Sequence, residues 1–498
     1  MTPTTLYRNG RIYSQADPRA TALMVRDGRV DWLGPDADAP VAGVDAVVDL
    51  DGALLAPAFV DAHVHTTGTG VSLRGLDLTG CASPDEVLDR LSAFAADLPA
   101  DAVVVGHGWD ESTWSGRNPP GSTELDRAGG GRRVYLAQAS VHSAVVSSPL
   151  LAAAAADLPG YDASGWLRRD AHHAVREIAM GSLTQRQRRD AQRAALGRAA
   201  SLGIAAVLAL SGQGLPEVYG YWGELGAAVK ARELGARGAG GDLYADGALG
   251  SQTAHLRVPY NDAEGLGYGY LSAEQVAAHL VECTGLGVQG GFHAIGDRAI
   301  ATVLAGFALA AAQCGIDAIR NARHRMEHVE IVDKQLIAGL VSFGVVASVQ
   351  PAFDRLWGGE DGMYASRLGV DRSLESNPLA ALAGVGVALA FGSDSPVTPL
   401  DPWGTVRAAM THHNPVHRVG VRTAFAAHTR GGWRAACRDD EGVLAPGAPA
   451  TFAMWRADSF THGLPTLMAE EPDAPVPPLP TCLRTVLRGE VIFELEGH

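Results

Sequence analysis

Apolar and polar positions alternate in short stretches at both ends of the chain, while the middle trades short apolar runs against longer amphipathic ones. Near the start, residues 5–8 and 11–13 flank Asn9-Gly10, and residues 22–25 and 29–33 flank Asp27-Gly28. Both dipeptides adopt positive φ readily, so each predicts a tight hairpin. Residues 46–50 alternate around Asp49, and residues 451–455, 483–486 and 491–493 repeat the habit near the end. The pattern alone predicts two β segments, one at each end.

From residue 184 onward, helical and strand-like periods take turns as βα units should. Helices are predicted at residues 185–202 (with Gly203 as the stop), 217–234, 273–286, 298–314, 379–383, 402–411 and 424–437. Strands are predicted at 204–210, 242–245, 288–292, before Val329, and at 345–349 and 387–391. Residues 67–185 depart from that rhythm. There Ser83 and Pro84 read as the N-cap and N1 of a helix at 84–98. Strands at 103–105 and 134–137, a weak helix at 151–156 and a loop at 160–170 complete an elaborated loop region or inserted subdomain, expected over the mouth of the βα array. Residues 472–480 are proline-rich and read as an exposed loop.

Several apolar runs end on residues able to bind a metal. The run 53–60 leads into Asp61-Ala62-His63-Val64-His65, and on a strand His63 and His65 share one face. Two neutral imidazoles so placed suit one divalent ion at about 2.0–2.1 Å, although such a pair is also an ordinary polar strand end. Residues 288–292 lead into His293 after Gly290-Gly291, whose small size would let backbone and metal approach. A satisfied core histidine is the plainer alternative there. His328 closes Arg323-His324-Arg325-Met326-Glu327-His328, with His324 as local competitor, and residues 387–391 lead into Gly392-Ser393-Asp394-Ser395-Pro396, where Asp394 could equally build an Asx-turn. The ordered set is His-x-His, His, His, Asp.

With those residues in that order, the sequence resembles the amidohydrolase superfamily, and more narrowly its N-substituted formamide deformylase-like branch, amidohydrolase family 3. Further blocks agree: Gly108-Trp109-Asp110-Glu111, Asp246-Gly247-Ala248-Leu249-Gly250-Ser251 and Gln350-Pro351. The resemblance implies an α/β fold, a (β/α)8 TIM-type metallo-hydrolase barrel with a small β-sandwich domain built from both termini. The implied boundaries are 1–56 and 439–498 for the two sandwich parts and 57–438 for the barrel, with an insertion at about 67–185 after the first barrel strand. In such a barrel, polar residues at the C-terminal strand ends form the active-site face.

The resemblance also implies the roles: His63, His65, His293, His328 and Asp394 as ligands of a divalent metal, most simply zinc, with Asp394 and His328 catalytic. His324 is read as packing or as a supporting residue behind the ligands. Trp109, Asp110, His142, Asp246 and Gln350 are candidates for the substrate pocket. Trp109, Asp110 and His142 could equally anchor loops, and Asp246 and Gln350 could equally satisfy buried backbone. Asp297 is a candidate for orienting a histidine. Hydrolysis of a non-peptide amide, formamide or cyclic amide by a metal-activated water is the expected function. Deamination of an aminated ring is the enzymatic alternative, and a scaffold that has lost its ligands is the non-catalytic one, against which the retained ligands argue.

Many relatives bridge two metals with a carboxylated lysine four residues before the Asp-Gly block. Here that position is Asp242, and the only lysines are Lys230 and Lys334, neither well placed. Asp242 is shorter than a carboxylated lysine and should not span two metals unless its strand shifts inward. One metal is therefore expected, on His63, His65, His293 and Asp394, with two left open.

Composition adds limits. The chain has 498 residues and a net charge of −15, which disfavours nucleic acid and anionic membranes as partners. No uncharged apolar run of 18 residues predicts a membrane span, and residues 1–9 lack the shape of a signal peptide. Five scattered cysteines without metal spacing read as reduced thiols of a cytoplasmic protein. His172-His173 and His412-His413 lack carboxylates in register and are read as surface residues. A small-molecule substrate is the expected partner, and a homodimer is left open.

Overall fold

The computed structural model describes residues 3–497 other than 112–113, 115–117, 140–142, 208–213, 470 and 472–473. It divides into two compact units, residues 1–65 with 197–498, and residues 66–196.

In the larger unit the two ends of the chain build two sheets. One orders Arg29–Gly34, Ala22–Arg26, Thr5–Arg8 and Ala46–Asp49; the other orders Arg11–Ile12, Leu54–Pro57, Phe452–Arg456, Thr481–Leu487 and Glu490–Glu494. Alternate side chains of both meet in one apolar core that includes Tyr7, Leu23, Leu55, Phe452 and Val486. Asp27-Gly28 turns an antiparallel hairpin, as expected. Asn9-Gly10 does not. Thr5–Arg8 and Arg11–Ile12 pair in different sheets, so the dipeptide is a corner between them. A Cβ on Gly10 would come within 2.5 Å of Leu50, so the corner needs glycine for space.

Apart from the short antiparallel pair Phe460–Thr461 and Leu464–Pro465, the remaining described strands of this unit are parallel. Phe59–Asp61 pairs with Ile204–Val207 on one side. On the other, Ala62 N donates to Phe391 O and Asp394 N to His63 O at 2.7 Å, which joins it to Ala388–Phe391. Pairing then runs through Val346–Val349, Arg325–His328, Gln289–Ala294 and Gly238–Tyr244 to Tyr221–Trp222. Glu217–Val218, just before Tyr221, pairs back onto Ile204–Val207, so the run returns to its start. All C-terminal strand ends therefore face the same side.

The helix expected at 217–234 is replaced by those two short strands and a helix at Ala228–Glu233. Val218, Tyr219, Tyr221 and Trp222 favour extended backbone, and Gly220, Gly223 and Gly226 weaken a helix. The helix expected at 424–437 divides into Val421–His428 and Arg430–Ala435 at Thr429, where φ is −122° and ψ is −90°. Ala273–Leu286 follows its sequence signals, with Ser272 accepting from Gln275 N and Gly287 closing it at φ 68°. Asp297–Cys314 is the one helix among the described residues long and apolar enough to cross a membrane. Its buried positions Ile300, Val303, Leu304, Phe307 and Ala310 recur on one face, the mark of a core helix.

The smaller unit has its own five-stranded sheet, ordered Trp166–Arg168, Ser143–Val146, Val134–Gln138, Val104–Trp109 and Leu76–Asp77. Pro84–Ala96 starts at Ser83, whose side chain accepts from Glu86 N, as predicted. The helix expected at 151–156 lies earlier, at Ser148–Leu151, where Pro149 at N2 favours a first turn. Part of the expected loop at 160–170 is the strand Trp166–Arg168.

Candidate metal centre

Six side chains converge at the C-terminal strand ends: His63, His65, Asp242, His293, His328 and Asp394. Asp394 Oδ1 lies 3.1 Å from His65 Nε2 and 3.4 Å from His63 Nε2. Asp242 Oδ2 lies 3.2 Å from His65 Nε2, while its Oδ1 lies 3.7 Å from His63 Nε2, 3.6 Å from His293 Nδ1 and 3.9 Å from His328 Nε2. Ligands held tetrahedrally at 2.0–2.2 Å from an ion sit about 3.4 Å apart, so these spacings suit a shared cation. His63 Nε2, Asp242 Oδ1 and Asp394 Oδ1 are buried without a hydrogen-bond partner in the protein. Two overlapping groups, His63–His65–Asp394 and His63–Asp242–His328, have ligand atoms within 4.8 Å of one another. This nitrogen and carboxylate donor set fits a divalent metal.

Three of the four histidines are oriented through their other nitrogen. His63 Nδ1 lies 3.1 Å from Glu327 Oε2, His293 Nε2 donates to Gly247 O at 3.2 Å, and His328 Nδ1 donates to Gln350 Oε1 at 2.8 Å. That leaves His63 Nε2, His293 Nδ1 and His328 Nε2 as lone-pair atoms facing the centre. Glu327 is itself clamped by Arg325, whose Nε and Nη2 donate to its two oxygens at 2.6 and 2.9 Å. Arg325 Nη2 also donates to Ala62 O at 2.5 Å and to Ser348 Oγ at 2.9 Å, tying the clamp to the start of the His-x-His segment. Asp61 Oδ1 accepts from His63 N and Ser393 N, pinning the His63 and Asp394 segments together.

Electrostatics follow from this packing. Burial would raise the carboxyl of Glu327, but the Arg325 charge and then His63 outweigh it and hold its pKa at about 2. Burial would depress His63, yet Asp242 and Glu327 hold it well above an ordinary imidazole. Burial likewise opposes ionisation of Asp394 and Asp242, and the surrounding histidines keep both well below the usual carboxylate range. At Asp61 burial outweighs the opposing hydrogen bonds and the charge of His63, and raises the carboxyl to about 6. The backbone carries strain here as well: His328, Val329 and Asp394 have φ of 72°, 52° and 55°. For β-branched Val329 this is a true outlier, and such residues cost about 1–3 kcal/mol each.

Asp242 reaches the centre because its strand bulges. Ala239 stands opposite Gly290 and Leu243 opposite Phe292, so Gly240, Gly241 and Asp242 face the single residue Gly291. Gly240 and Gly241 take φ of 116° and 88°, and a Cβ on Gly240 would lie 2.2 Å from Gly291 O. Only glycine fits the first of these positions. The inward shift that the short side chain requires is therefore present.

A description of the amidohydrolase family matches residues 46–493. The chain belongs to the amidohydrolase family. YtcJ, an amidohydrolase-type protein of Bacillus subtilis, is 24% identical over 98% of this chain and 99% of its own length. The N-substituted formamide deformylase of Arthrobacter pascens is 29% identical over 31% of this chain and 28% of its own. Among solved structures, an uncharacterized metal-dependent hydrolase from Pyrococcus furiosus superposes with a TM-score of 0.76 at 26% identity, covering 91% of this chain and 98% of that one. This chain is accordingly a metal-dependent hydrolase, not a scaffold.

Other candidates in this amidohydrolase fall elsewhere. Gln350 is at the centre, as the partner that orients His328. Asp246 is fully buried and accepts from His255 N, Ile295 N and Gly296 N, so it holds loops together and lines no pocket; its nearest approach to the centre is 3.8 Å from His293 Nε2. Asp297 accepts from Arg257 N, and Gly247 O rather than Asp297 orients His293. Trp109 is buried in the smaller unit's own core, its Nε1 donating to Leu136 O, which removes it as a pocket wall. Asp110 directly follows that strand, and His142 lies outside the described residues. His324 is packing, as expected: its Nδ1 accepts from Gly290 N, and burial lowers it to about 3. His412 and His172 are both buried, not on the surface. His412 lies 3.4 Å from Asp354, a partner far away in sequence, and His172 Nε2 bonds Tyr135 Oη at 2.8 Å.

Glu327, Arg325 and Asp61 are functional positions that the motif reading passed over. A signal existed. Arg325 and Glu327 are opposite charges at i, i+2 of the strand Arg325–His328, so they share a face and must pair if the strand is buried. Replacing Arg325 with methionine is expected to leave Glu327 buried without its cation and to cost about 3–5 kcal/mol. Urea unfolding of the variant beside the parent measures this, and a loss under about 1 kcal/mol would show that the clamp is dispensable.

Proposed function

We propose that this amidohydrolase, on a (β/α)8 barrel frame, hydrolyses a carbon–nitrogen bond of a small molecule, an N-substituted formamide or another non-peptide or cyclic amide. The observation that carries the reading is the convergence of four histidines and two aspartates, with His63 Nε2, Asp242 Oδ1 and Asp394 Oδ1 buried without a hydrogen-bond partner in the protein. A mixed imidazole and carboxylate set with tetrahedral spacing is suited to zinc. His63, His65 and Asp394 would hold it, with Asp242, His293 and His328 alongside. When bound, the ion lowers the pKa of water from 15.7 towards about 7 and polarises a carbonyl oxygen.

The residues divide the remaining work. Asp394, kept ionised by its histidines, takes a proton from the attacking water and returns it to the departing nitrogen. His328, locked by Gln350, faces the centre with Nε2 and is placed to act on the substrate carbonyl. Phe353 stacks on its ring at 5.9 Å between centroids, and Tyr244 meets His293 at 4.8 Å, so aromatic walls flank the histidines. The formamide relative supports the substrate class.

The test is a panel of N-formyl amines, cyclic amides and aminated heterocycles offered to the purified zinc-loaded protein. Formate or ring-opened acid is expected, with turnover lost on chelation and restored by zinc. Ammonia from an aminated ring, with every amide untouched, would replace this reading by a deaminase.

A further inference from the structure

The helix Pro351–Trp357 starts where the strand Val346–Val349 ends, and Gln350, Phe353, Asp354 and Trp357 follow one another at the spacing of a single helix side. Two of them set the ring of His328. Gln350 Oε1 accepts from His328 Nδ1 at 2.8 Å, and Phe353 stacks on the imidazole with 12° between the planes. Asp354, only 1% exposed, reaches instead the segment that follows the helix Pro402–Met410. Its Oδ2 accepts from His413 N and His413 Nδ1, both at 3.0 Å, and its Oδ1 lies 3.4 Å from His412 Nε2. We infer that Asp354 is a positioning residue for the reaction: held by His412 and His413, it fixes the helix that keeps His328 in place. This deepens the hydrolase reading and rests on the part given there to His328.

The far side of the contact is rigid. His412 Nδ1 accepts from Asn414 N at 3.0 Å, so the single proton of the neutral ring is on Nε2, facing Ser376 O at 3.1 Å and Asp354 Oδ1. Burial holds this imidazole below its ordinary range against the pull of Asp354, which keeps it in that neutral form. His412 O accepts from Arg418 Nε at 2.8 Å, which anchors the segment a second time. His413 must carry its proton on Nδ1 to meet Asp354 Oδ2. Both rings therefore present a fixed donor to the carboxyl, and the carboxyl has one orientation that meets them.

Two glycines are the independent observation. A Cβ on Gly358 would lie 2.3 Å from Asp354 Oδ1, and one on Gly359, at φ 86°, would lie 2.8 Å from the ring of His413. The chain leaving the helix thus wraps the Asp354–His413 pair more closely than any side chain would permit. An apolar residue would hold the fold without burying an oxygen that lacks a hydrogen-bond partner, as Asp354 Oδ1 does. What the carboxyl adds is direction. Hydrogen bonds fix angle as well as distance, and the adjoining Phe353 transmits both to the imidazole it stacks on.

Asp354→Leu removes both acceptors and Asp354→Asn keeps one, and both are assayed beside the zinc-loaded parent on whichever amide of the panel it turns over. At equal zinc content D354L is expected to lower kcat by about 10–100-fold with KM little changed, the usual size of an effect passed through a residue that orients a site histidine. D354N should recover most of that loss. Crystal structures should show Gln350 Oε1 drawn off His328 Nδ1 in D354L, with His63, His65 and Asp394 in place. An unchanged kcat overturns the inference, as does a loss matched by lost zinc or lost folded protein, or a His328–Gln350 bond intact in D354L. Should D354L fail to fold by circular dichroism, His413→Ala, at a side chain 40% exposed, takes its place with the same expected and overturning results. A parent inert to every amide sinks the hydrolase reading, and the crystal structures then decide this one alone. An active parent with His328 unmoved in the variant does the reverse.

Discussion

Replacing His63 with alanine is expected to strip the metal centre and abolish turnover in the same sample. His63 Nε2 belongs to both donor groups, 3.4 Å from Asp394 Oδ1 and 3.7 Å from Asp242 Oδ1. No other side chain is shared in this way, so its loss weakens every arrangement of ions the centre could adopt. Binding free energy at such a site is spread over a few ligands, and losing one of three or four removes the ion more readily than it retunes it. The fold should persist, because Glu327 keeps its two bonds from Arg325 after the imidazole is gone. His65→Ala should also lose metal and turnover, although His65 is half exposed and belongs to a single donor group. Elemental analysis beside a turnover assay measures both variants. Full occupancy in H63A would remove His63 from the ligand set.

The sequence disclosed most of the ligands, because each stands at the end of an apolar run where a strand must stop and a polar group can face the mouth. His63, His65, His293, His328 and Asp394 were all legible in that way, and the structure brings all five together. Asp242 was legible as a position but not as a reach. Only three-dimensional pairing shows Gly240 and Gly241 forming a bulge, since Gly-Gly in a strand reads equally as weakness. The clamp on His63 was hidden for another reason: Glu327 adjoins a ligand in the motif, and adjacency drew attention to His328. Long-range partners were out of reach altogether. His412 finds Asp354 and His328 finds Gln350 across distances in sequence that no local pattern encodes. The helix expected at 217–234 failed where aromatic and β-branched residues met parallel neighbours, Glu217–Val218 at Ile204–Val207 and Tyr221–Trp222 at Gly238–Tyr244, a case of tertiary pairing deciding local structure.

Asp394→Asn is expected to keep the fold and, compared at full metal occupancy, to lower turnover by about 10²–10⁴-fold, the usual worth of a positioned proton shuttle. Its Oδ1 is the atom nearest His65 Nε2 and, like His63 Nε2, has no hydrogen-bond partner in the protein. Asparagine preserves the volume and the turn that Asp394 makes, with Asp394 N donating to His63 O and Val397 N to Asp394 O. Left-handed backbone at φ 55° suits asparagine as well as aspartate, so the substitution adds no backbone strain. What the amide cannot do is accept a proton from water and hand it to a leaving nitrogen. The loss should therefore fall on kcat with KM little changed, because the interaction is made in the transition state and not in the bound substrate. It should also shrink for substrates whose departing amine is already a good leaving group, since those need less protonation. Activity within a few-fold of the parent, on a sample shown to be fully metallated, would place the proton shuttle on another residue.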